Sequence, residues 1–487
     1  MKTFMNKKLL VAVSVLATVF SAQAQYLRTS YFMESASTRV MMNPALQPTR
    51  GFLNLPALGG ISVTAESNTL GIQDIMDIAN DDNNFLYNDK LYNTLKTNNR
   101  FNMDMNLNIL SFGWIKGKNF WSVNAGLRMD MGMQINKGMF DMMREMDGYN
   151  MEDLAGTHRE YSLGNQKINM NAYAEVGLGF SRRITEKLTV GARAKVLLGL
   201  ARAEANIDKF DVNLDLPKMP ADIDIDDIPN MTDDEISSLS RNYDYNDWYG
   251  KGYNYNAQAN IVTTIKGGGL VPDEYDPNMI GFDLDAGNLG IAGSGFGIDL
   301  GASYNVWDNL TVSAAVLDLG FLKWNKKNTN VATAKGEDKV TIDSEEAYNK
   351  YIEGDFLSIE RFDFKIDENA DYKTKTKLST TILVGAEYAL LNNKLSVGAL
   401  YSTRFVQPKA QTELTLLATL RPWNWLNAAV SYSPILAGGK SLGLALKLGP
   451  LFLGTDYMYF GGNSKSVNAF FGLSIPLGGK RKPFSEL

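Results

Sequence analysis

Three aspartates at alternate positions are the most chemically suggestive group in the sequence. Asp222, Asp224 and Asp226 would place their carboxylates on one side of an extended segment, where they could hold a hard divalent cation. A calcium loop of the EF-hand type needs glycine at its sixth position, and Asp227 stands there instead. We therefore predict that the protein binds no metal, with these three aspartates as the one candidate site.

Other residue types exclude most catalytic and binding chemistries. The 487-residue chain has no cysteine and a single histidine, His158, which excludes thiolate metal sites, cysteine nucleophiles and multi-histidine centres. The glycine run 267–269 lacks the Lys-Ser/Thr pair that follows a phosphate-binding loop. A formal net charge of -6 argues against general nucleic-acid binding. We predict a protein that is not an enzyme and uses no cofactor.

A second group of ionisable residues recurs on the polar face of predicted strands. Charges at membrane depth are tolerated only toward water or toward a partner. These residues could line a polar channel or orient a ligand, or they could pair with one another and brace the wall, which their mixed signs favour. The nine predicted lumen-facing charges are Asp104, Arg128, Asp130, Glu175, Arg193, Lys195, Arg202, Glu204 and Glu387.

The elements that must position these charges are long strands with one apolar face. From Trp121 to Ile135 every second residue is apolar. Globular strands usually stop near 5–6 residues, whereas membrane-spanning strands need about 9–11. The pattern recurs to the end of the chain and predicts an all-β protein, an antiparallel transmembrane β-barrel of about 14 (14–16) strands, with the uncertain pair in 257–291. A soluble β-sandwich or propeller is the alternative.

The connections between predicted strands fall into two length classes. Short turns are predicted at 185–187, 307–309, 391–394 and 423–425, and long loops at 136–167, 207–256 and 323–375. Outer-membrane barrels have short periplasmic turns and longer outer loops. The long loops are therefore predicted to face outside, with both termini in the periplasm. Tryptophans such as Trp307 and Trp423 at strand ends suit an interfacial girdle.

The N-terminus has the pattern of an export signal. Lys2, Lys7 and Lys8 precede an apolar run from Leu9 to Phe20, and a small-x-small site follows at 22–24. The run is too short to span a membrane as a helix. We predict a cleaved signal peptide over 1–24 and, for a barrel, a place in the cell outer membrane of a Gram-negative bacterium.

Close behind the predicted cleavage site lies Asn43-Pro44-Ala45. This motif resembles the start of the FadL-like family of outer-membrane transporters, and similar motifs occur in the Por-type barrels of Bacteroidetes secretion and gliding systems. The resemblance implies an N-terminal hatch over 25–54 that plugs a barrel over 55–476, with a C-terminal tail over 477–487. Turn chemistry alone is equally consistent with a plain turn before the first strand.

The resemblance implies passive transport of small hydrophobic compounds. The alternative is a non-transporting barrel that serves as a structural, secretion or gliding-system partner. Outer-membrane lipid and lipopolysaccharide are predicted partners, together with a small hydrophobic ligand or a protein at the outer loops, and no nucleic acid. A transporter should show an apolar pocket between hatch and wall, whereas a scaffold should show a filled lumen and apolar patches on its loops.

Overall fold

The fold is taken from a computed structural model, which describes residues 27–55, 60–71, 73–74, 89–146, 155–218, 231–241, 244–272, 280–352, 365–367, 370–423, 425–436, 439–458 and 464–486. The predicted signal peptide 1–24 lies outside the described residues. The candidate metal ligands Asp222, Asp224 and Asp226 also lie outside them.

Fourteen antiparallel strands form one closed barrel wall, which confirms the predicted fold class. The wall closes because the first strand pairs with both the second and the last, as at Phe52–Gly113 and Gly51–Leu477. In chain order the strands are β1 (Gly51–Asn54 and Ile61–Ser67), β2 (Asn98–Lys116), β3 (Asn119–Asn136), β4 (His158–Ser162 and Gln166–Arg183), β5 (Leu188–Asp215), β6 (Gly252–Ile265 and Gly293–Trp307), β7 (Leu310–Trp324 and Thr329–Thr341), β8 (Lys365–Ile366, Lys375–Lys377 and Thr381–Leu390), β9 (Leu395–Arg404), β10 (Gln411–Trp423), β11 (Leu426–Ile435), β12 (Ser441–Leu448), β13 (Leu451–Thr455) and β14 (Ser466–Leu477).

The segment 257–291, in which the number of strands was uncertain, partly leaves the wall; we call the part outside the wall the excursion. Both parts of β6 pair with β5, the first from Gly252 to Ile265 and the second from Gly293 onward. Between them, the strands Gly268–Pro272 and Ile280–Leu284 form a separate two-stranded hairpin. The excursion therefore adds no strand to the wall, and the count stays at the lower predicted value.

The two faces of the wall have the polarity of a membrane barrel. Outward side chains are apolar and exposed, and inward side chains are polar and buried, which is the arrangement that a lipid surround favours. Exposed outward residues include Val176, Val196, Phe296, Leu300, Val384, Leu416 and Val430, and buried inward residues include Ser122, Asn124, Lys195, Ser313, Thr415 and Ser431.

The predicted short turns connect consecutive wall strands at one end of the barrel, which we call the short-turn end. The first strand begins and the last strand finishes at this end, since Gly51 pairs with Leu477. Trp307, Trp423 and Trp425 are exposed there. We call the opposite end the long-loop end.

Two of the long loops are shorter than predicted, because wall strands extend into them. The predicted loop 207–256 overlaps β5, which continues to Asp215, and β6, which begins at Gly252. The predicted loop 323–375 contains the second part of β7, Thr329–Thr341. These strand extensions pair with one another beyond the apolar belt. Their outward residues are polar, so the alternation of apolar and polar residues did not predict them.

Short helices and a small apolar core cover the long-loop end. The helices there are Asp89–Tyr92, Lys137–Met146, Asp233–Arg241, Tyr245–Trp248 and Glu345–Ile352, and Lys326–Asn328 forms a 3-10 turn. We call the core the outer layer; its buried residues are Tyr161, Leu163, Leu214, Leu216, Trp248, Tyr253, Ile342, Tyr348, Tyr351 and Ile352. In the described part of the chain, no helix is both long and apolar enough to cross a membrane.

Candidate functional site: the hatch and the barrel lumen

Residues 27–50 run inside the barrel as a compact segment, which we call the hatch. It contains a 3-10 turn, Arg28–Ser30, and one helical turn, Arg39–Met42. Nearly all of its side chains are buried, including Leu27, Tyr31 and Asn43 at 0% exposure. Residues 51–54 of the predicted hatch belong to the wall instead, because they pair with β2 and β14.

The predicted motif lies against the inner wall at β5, β6 and β7. The side-chain amide of Asn43 donates to the carbonyl oxygens of Ala314 at 3.2 Å and Ala302 at 3.4 Å. Its Oδ1 accepts a hydrogen bond from the Ala45 N–H at 2.9 Å. Asn43 thus forms a local Asx-type turn and binds the wall at the same time.

Two inward-facing glycines make room for the motif. Gly191 on β5 and Gly301 on β6 are paired in register. A Cβ at Gly191 would lie 2.5 Å from the carbonyl carbon and oxygen of Pro44, and one at Gly301 would lie 2.1 Å from Oδ1 of Asn43. Both distances are far below van der Waals contact, so any larger residue would displace the hatch. The wall sequence is therefore fitted to this segment.

An apolar strip on the inner wall packs against the hatch. The inner face of a water-filled barrel is polar, yet several neighbouring strands here present aliphatic residues inward. Hatch and wall share one buried cluster: Tyr31, Phe32, Met42 and Leu46 from the hatch, and Ala315, Leu317, Leu383, Leu400 and Leu417 from the wall. We call the five wall residues the inner apolar strip.

Six of the lumen charges form one network across β3 to β7. Arg128 lies 2.9 Å from Glu175 and 3.3 Å from Asp318. Lys195, which is fully buried, lies 2.6 Å from Asp299 and 2.5 Å from Asp318. Arg193 pairs with Asp299 as well. Three cations meet three carboxylates, so the four predicted charges of this network, Arg128, Glu175, Arg193 and Lys195, have partners of opposite sign.

The remaining predicted charges also have partners of opposite sign. Arg404 bridges Asp104 and Asp130, the latter at 2.5 Å. The other two pairs are Arg202–Glu204 at 2.5 Å and Arg421–Glu387 at 2.9 Å. All nine predicted residues thus take part in ion pairs.

The sequence analysis omitted four partners in these networks: Asp299, Asp318, Arg404 and Arg421. Asp318 lies at a register shift between β6 and β7 and has a φ of 58°, so it interrupts the two-residue alternation. Arg404 and Arg421 lie close to strand ends, outside the apolar runs. Asp299 did alternate with apolar neighbours and could have been found by that signal.

Charged groups also hold the part of the hatch that lies near the short-turn end. Arg421 donates to the Phe32 carbonyl at 2.9 Å and lies 3.8 Å from Glu34. Burial raises the pKa of the Glu34 carboxyl, but the nearby Arg39 and Arg421 outweigh it, so this pKa lies below its usual range. From the C-terminal tail, the Arg481 N–H donates to the Thr49 carbonyl at 2.8 Å.

Two small cavities adjoin the hatch among the described residues. A cavity of about 80 Å³ is lined by charged residues such as Arg128 and Arg404 together with the apolar side chains of Met42, Leu317 and Leu383. A second cavity of about 20 Å³ lies beside Thr38 and Met41. Within the described ranges, no three acidic or histidine side chains converge as a metal site.

Comparison with known proteins places this architecture in a family. A family model described as "Family of unknown function (DUF5723)" matches residues 44–456. The chain belongs to the DUF5723 family. The DUF5723 match begins at Pro44, inside the Asn-Pro-Ala motif, and ends at Asp456, which accepts hydrogen bonds from the hatch. No curated protein sequence matches the chain.

Solved structures similar to this DUF5723 chain include transporters and channels. The Ralstonia pickettii toluene transporter TbuX aligns over 91% of this chain and 95% of its own, with 10% identity and a TM-score of 0.41. The Pseudomonas putida toluene transporter TodX aligns over 93% of each chain, with 9% identity and a TM-score of 0.36. The CymD monoaromatic hydrocarbon channel covers 93% of this chain and 92% of its own, with 9% identity and a TM-score of 0.33.

Proposed function

We propose that this protein is an outer-membrane barrel that passes small hydrophobic molecules when its hatch moves. The inner apolar strip is the observation that carries the proposal. A lumen that admits only water-soluble compounds has no use for a continuous aliphatic surface, whereas an apolar solute needs one to leave water. In the closed state the hatch covers the strip with Tyr31, Phe32, Met42 and Leu46.

The place in the membrane is part of this proposal. The exposed apolar residues of the wall form a belt, and Trp307, Trp423 and Trp425 lie at its short-turn edge. We propose that the short-turn end faces the periplasm and the long-loop end faces outside, with lipid and lipopolysaccharide around the wall. In this proposal lipid contacts the apolar belt on the outside of the wall and does not bind in the lumen.

Hatch movement is required because the free volume is too small for passage. Ligand pockets usually measure about 300–1,000 Å³, and the larger of the two lumen cavities described above measures about 80 Å³. The hatch is held by side-chain hydrogen bonds, ion pairs and three apolar clusters, and by no strand pairing, so it can move while the wall stays paired. Opening would expose the inner apolar strip to the lumen.

A removable tether tests this function. The Thr29 and Ser431 hydroxyl oxygens lie 2.6 Å apart, one in the hatch and one on β11. Because the chain has no cysteine, a Thr29→Cys/Ser431→Cys variant can form only the designed bond. The assay is uptake of a neutral aromatic dye and a sugar by lipopolysaccharide-containing vesicles, with protein-free vesicles as background.

The matched control is Thr264→Cys/Thr329→Cys, which joins β6 to β7 away from the hatch through hydroxyls 2.9 Å apart. We expect oxidation to reduce dye uptake severalfold in the tethered variant and to leave the control unchanged, with recovery after reduction. Dye uptake that is insensitive to the tether would contradict passage by hatch movement. Preferential uptake of the sugar would contradict the hydrophobic solute.

A second candidate, a barrel that binds another protein, is favoured by the apolar residues exposed at the long-loop end. Tyr245 and Tyr249 lie on the outer layer, and Phe282 and Leu284 lie on the hairpin between the two parts of β6. Such patches mark interaction surfaces or lipid contact. Wild-type vesicles with no uptake above background, together with capture of a partner that Tyr245→Ser/Tyr249→Ser abolishes, would favour this role.

A further inference from the structure

The first turn of the hatch inserts an arginine into a pocket of the wall. The Arg28 Nη1 lies 2.6 Å from Oε2 of Glu413, and Nη2 donates to the Tyr457 hydroxyl. The guanidinium carbon lies 5.5 Å from the centroid of the Tyr457 ring. The Tyr457 hydroxyl donates to Glu66 at 2.6 Å, and Asp456 accepts the Arg28 N–H at 3.0 Å. We call Glu66, Glu413, Asp456 and Tyr457 the acid cradle.

The acid cradle contains three carboxyl groups and receives one cation from the hatch. Glu413 and Asp456 pair with the Arg28 guanidinium, whereas Glu66 accepts hydrogen bonds from the Tyr457 hydroxyl at 2.6 Å and from Gln411 at 2.7 Å. The network around Lys195 differs, because there three cations meet three carboxylates. Carboxylates and an aromatic face together recognise an organic cation. The cradle therefore has the chemistry of a cation site and is occupied by the chain's own cation.

The cavity beside the cradle adds an apolar wall to this site. Arg28, Glu66 and Glu413 line one part of the 80 Å³ cavity, and Met42, Leu317 and Leu383 line another. Two of these, Leu317 and Leu383, belong to the inner apolar strip. A molecule with a cationic head in the cradle would place its hydrocarbon part on this strip. Withdrawal of Arg28 would supply the extra volume that such a molecule needs.

We propose that Arg28 is an internal substitute for a solute, and that the acid cradle binds small amphipathic cations with a guanidinium or ammonium head. A cation of this class competes with Arg28 and favours release of the hatch. The inference rests on the proposed function for its transport role, because the cradle becomes part of a passage only if the hatch moves. The binding site itself can be tested without transport.

The test titrates n-butylguanidinium into detergent-solubilised Arg28→Ala by calorimetry. N-butylurea has a similar planar shape without charge, and serves as the control ligand. We expect saturable binding of butylguanidinium by Arg28→Ala, with butylurea and the Arg28→Ala/Glu413→Gln variant weaker by roughly tenfold or more, since a charged hydrogen bond is lost. Wild type, whose cradle is filled, should bind more weakly than Arg28→Ala. Equal binding of the two ligands, or no binding by folded Arg28→Ala, would overturn the proposal and leave Arg28 as a structural anchor.

A second measurement uses the intact hatch, in case Arg28→Ala does not fold. In planar bilayers, butylguanidinium should raise the conductance of wild type above that with butylurea, and Glu413→Gln should reduce this difference. The oxidised Thr29→Cys/Ser431→Cys variant should show no such rise. A rise of equal size with butylurea would overturn the proposal. Cation binding without vesicle uptake of the dye would refute the transport function alone, and dye uptake without cation binding would refute the cradle alone.

Discussion

The hatch and the outer layer pack against the same wall in different ways, because only the hatch adds buried polar and charged contacts to its apolar clusters. The hatch fits into glycine gaps, donates hydrogen bonds to wall carbonyls and inserts charged groups among inward charges, as Asn43 and Arg28 do. The outer layer has an ordinary apolar core in which Leu216, Tyr348 and Tyr351 are fully buried. The difference shows that one wall serves two environments, a polar lumen and an aqueous exterior.

Strand β5 passes through both environments. In its first half Val196 is 56% exposed on the outer face, while Arg193 and Lys195 are buried. Near its end Leu214 is buried, while the side chains of Lys209 and Asp211 are about half exposed. Lipid around the first half and water around the second account for this reversal, because apolar groups leave water but not lipid. The same strand geometry therefore buries different residues.

The largest expected effect is in the outer layer. Leu216→Ala removes a fully buried side chain and should destabilise this layer by about 2–5 kcal/mol, because truncation leaves a cavity. If the outer layer is a separate core, protease should cut the 231–241 region faster while the barrel stays folded, as shown by heat-modifiable migration on a gel. Simultaneous loss of the barrel would mean that the two regions are not independent.

The next effect tests the lipid side of β5. Val196→Arg should destabilise the barrel in bilayers by about 2–4 kcal/mol, since a charge on the lipid face near the midplane is poorly solvated. Lys209→Arg, on the half of the strand beyond the belt, is the control and should change stability little. Urea unfolding in lipid vesicles measures both. Similar losses at both sites would place lipid around the whole strand and remove the contrast.

The hatch side is tested with two inward glycines. A Cβ at Gly191 meets the Pro44 backbone at 2.5 Å, whereas one at Gly179 meets only the Ser122 hydroxyl at 2.3 Å, which can rotate away. Gly191→Ala should therefore displace the hatch and raise single-channel conductance, and Gly179→Ala should not. Asn43→Ala should act more weakly, since a lost buried hydrogen bond costs about 1–3 kcal/mol. Unchanged conductance in Gly191→Ala would contradict tight seating of the motif.

The smallest expected effect is a pH dependence of the hatch. The pKa of Glu34 is lowered in the folded protein, so its ionised form contributes stability above the usual carboxyl pKa of 4.5, and this contribution is lost as pH falls through the lowered value. Leak through the barrel should rise on acidification below pH ~4. Glu34→Gln should leak slightly more at neutral pH and lose part of the acid response. If the response belongs to the hatch, the outer layer should not be destabilised over the same pH range.

Much of the wall could be predicted from the sequence. Apolar residues at every second position from Trp121 to Ile135 required a two-faced strand, and β3 covers that run. The prediction was less accurate beyond the belt, where β5 and β7 continue with polar outward residues. A bulge also hid Asp318, since one extra residue shifts the alternation.

The sequence by itself determined the strand faces, the short turns and the shared face of charges such as Arg193 and Lys195, because these depend on the two-residue period of a strand. Arg202 and Glu204 follow a register shift between Gly199 and Ala201, which reverses that period. Only the tertiary structure decided which charges meet, since partners such as Arg404 and Asp104 are 300 positions apart. It also decided that the inner apolar strip and the glycines Gly191 and Gly301 receive the hatch. Local patterns fix the direction of a side chain, but barrel closure fixes what lies opposite it.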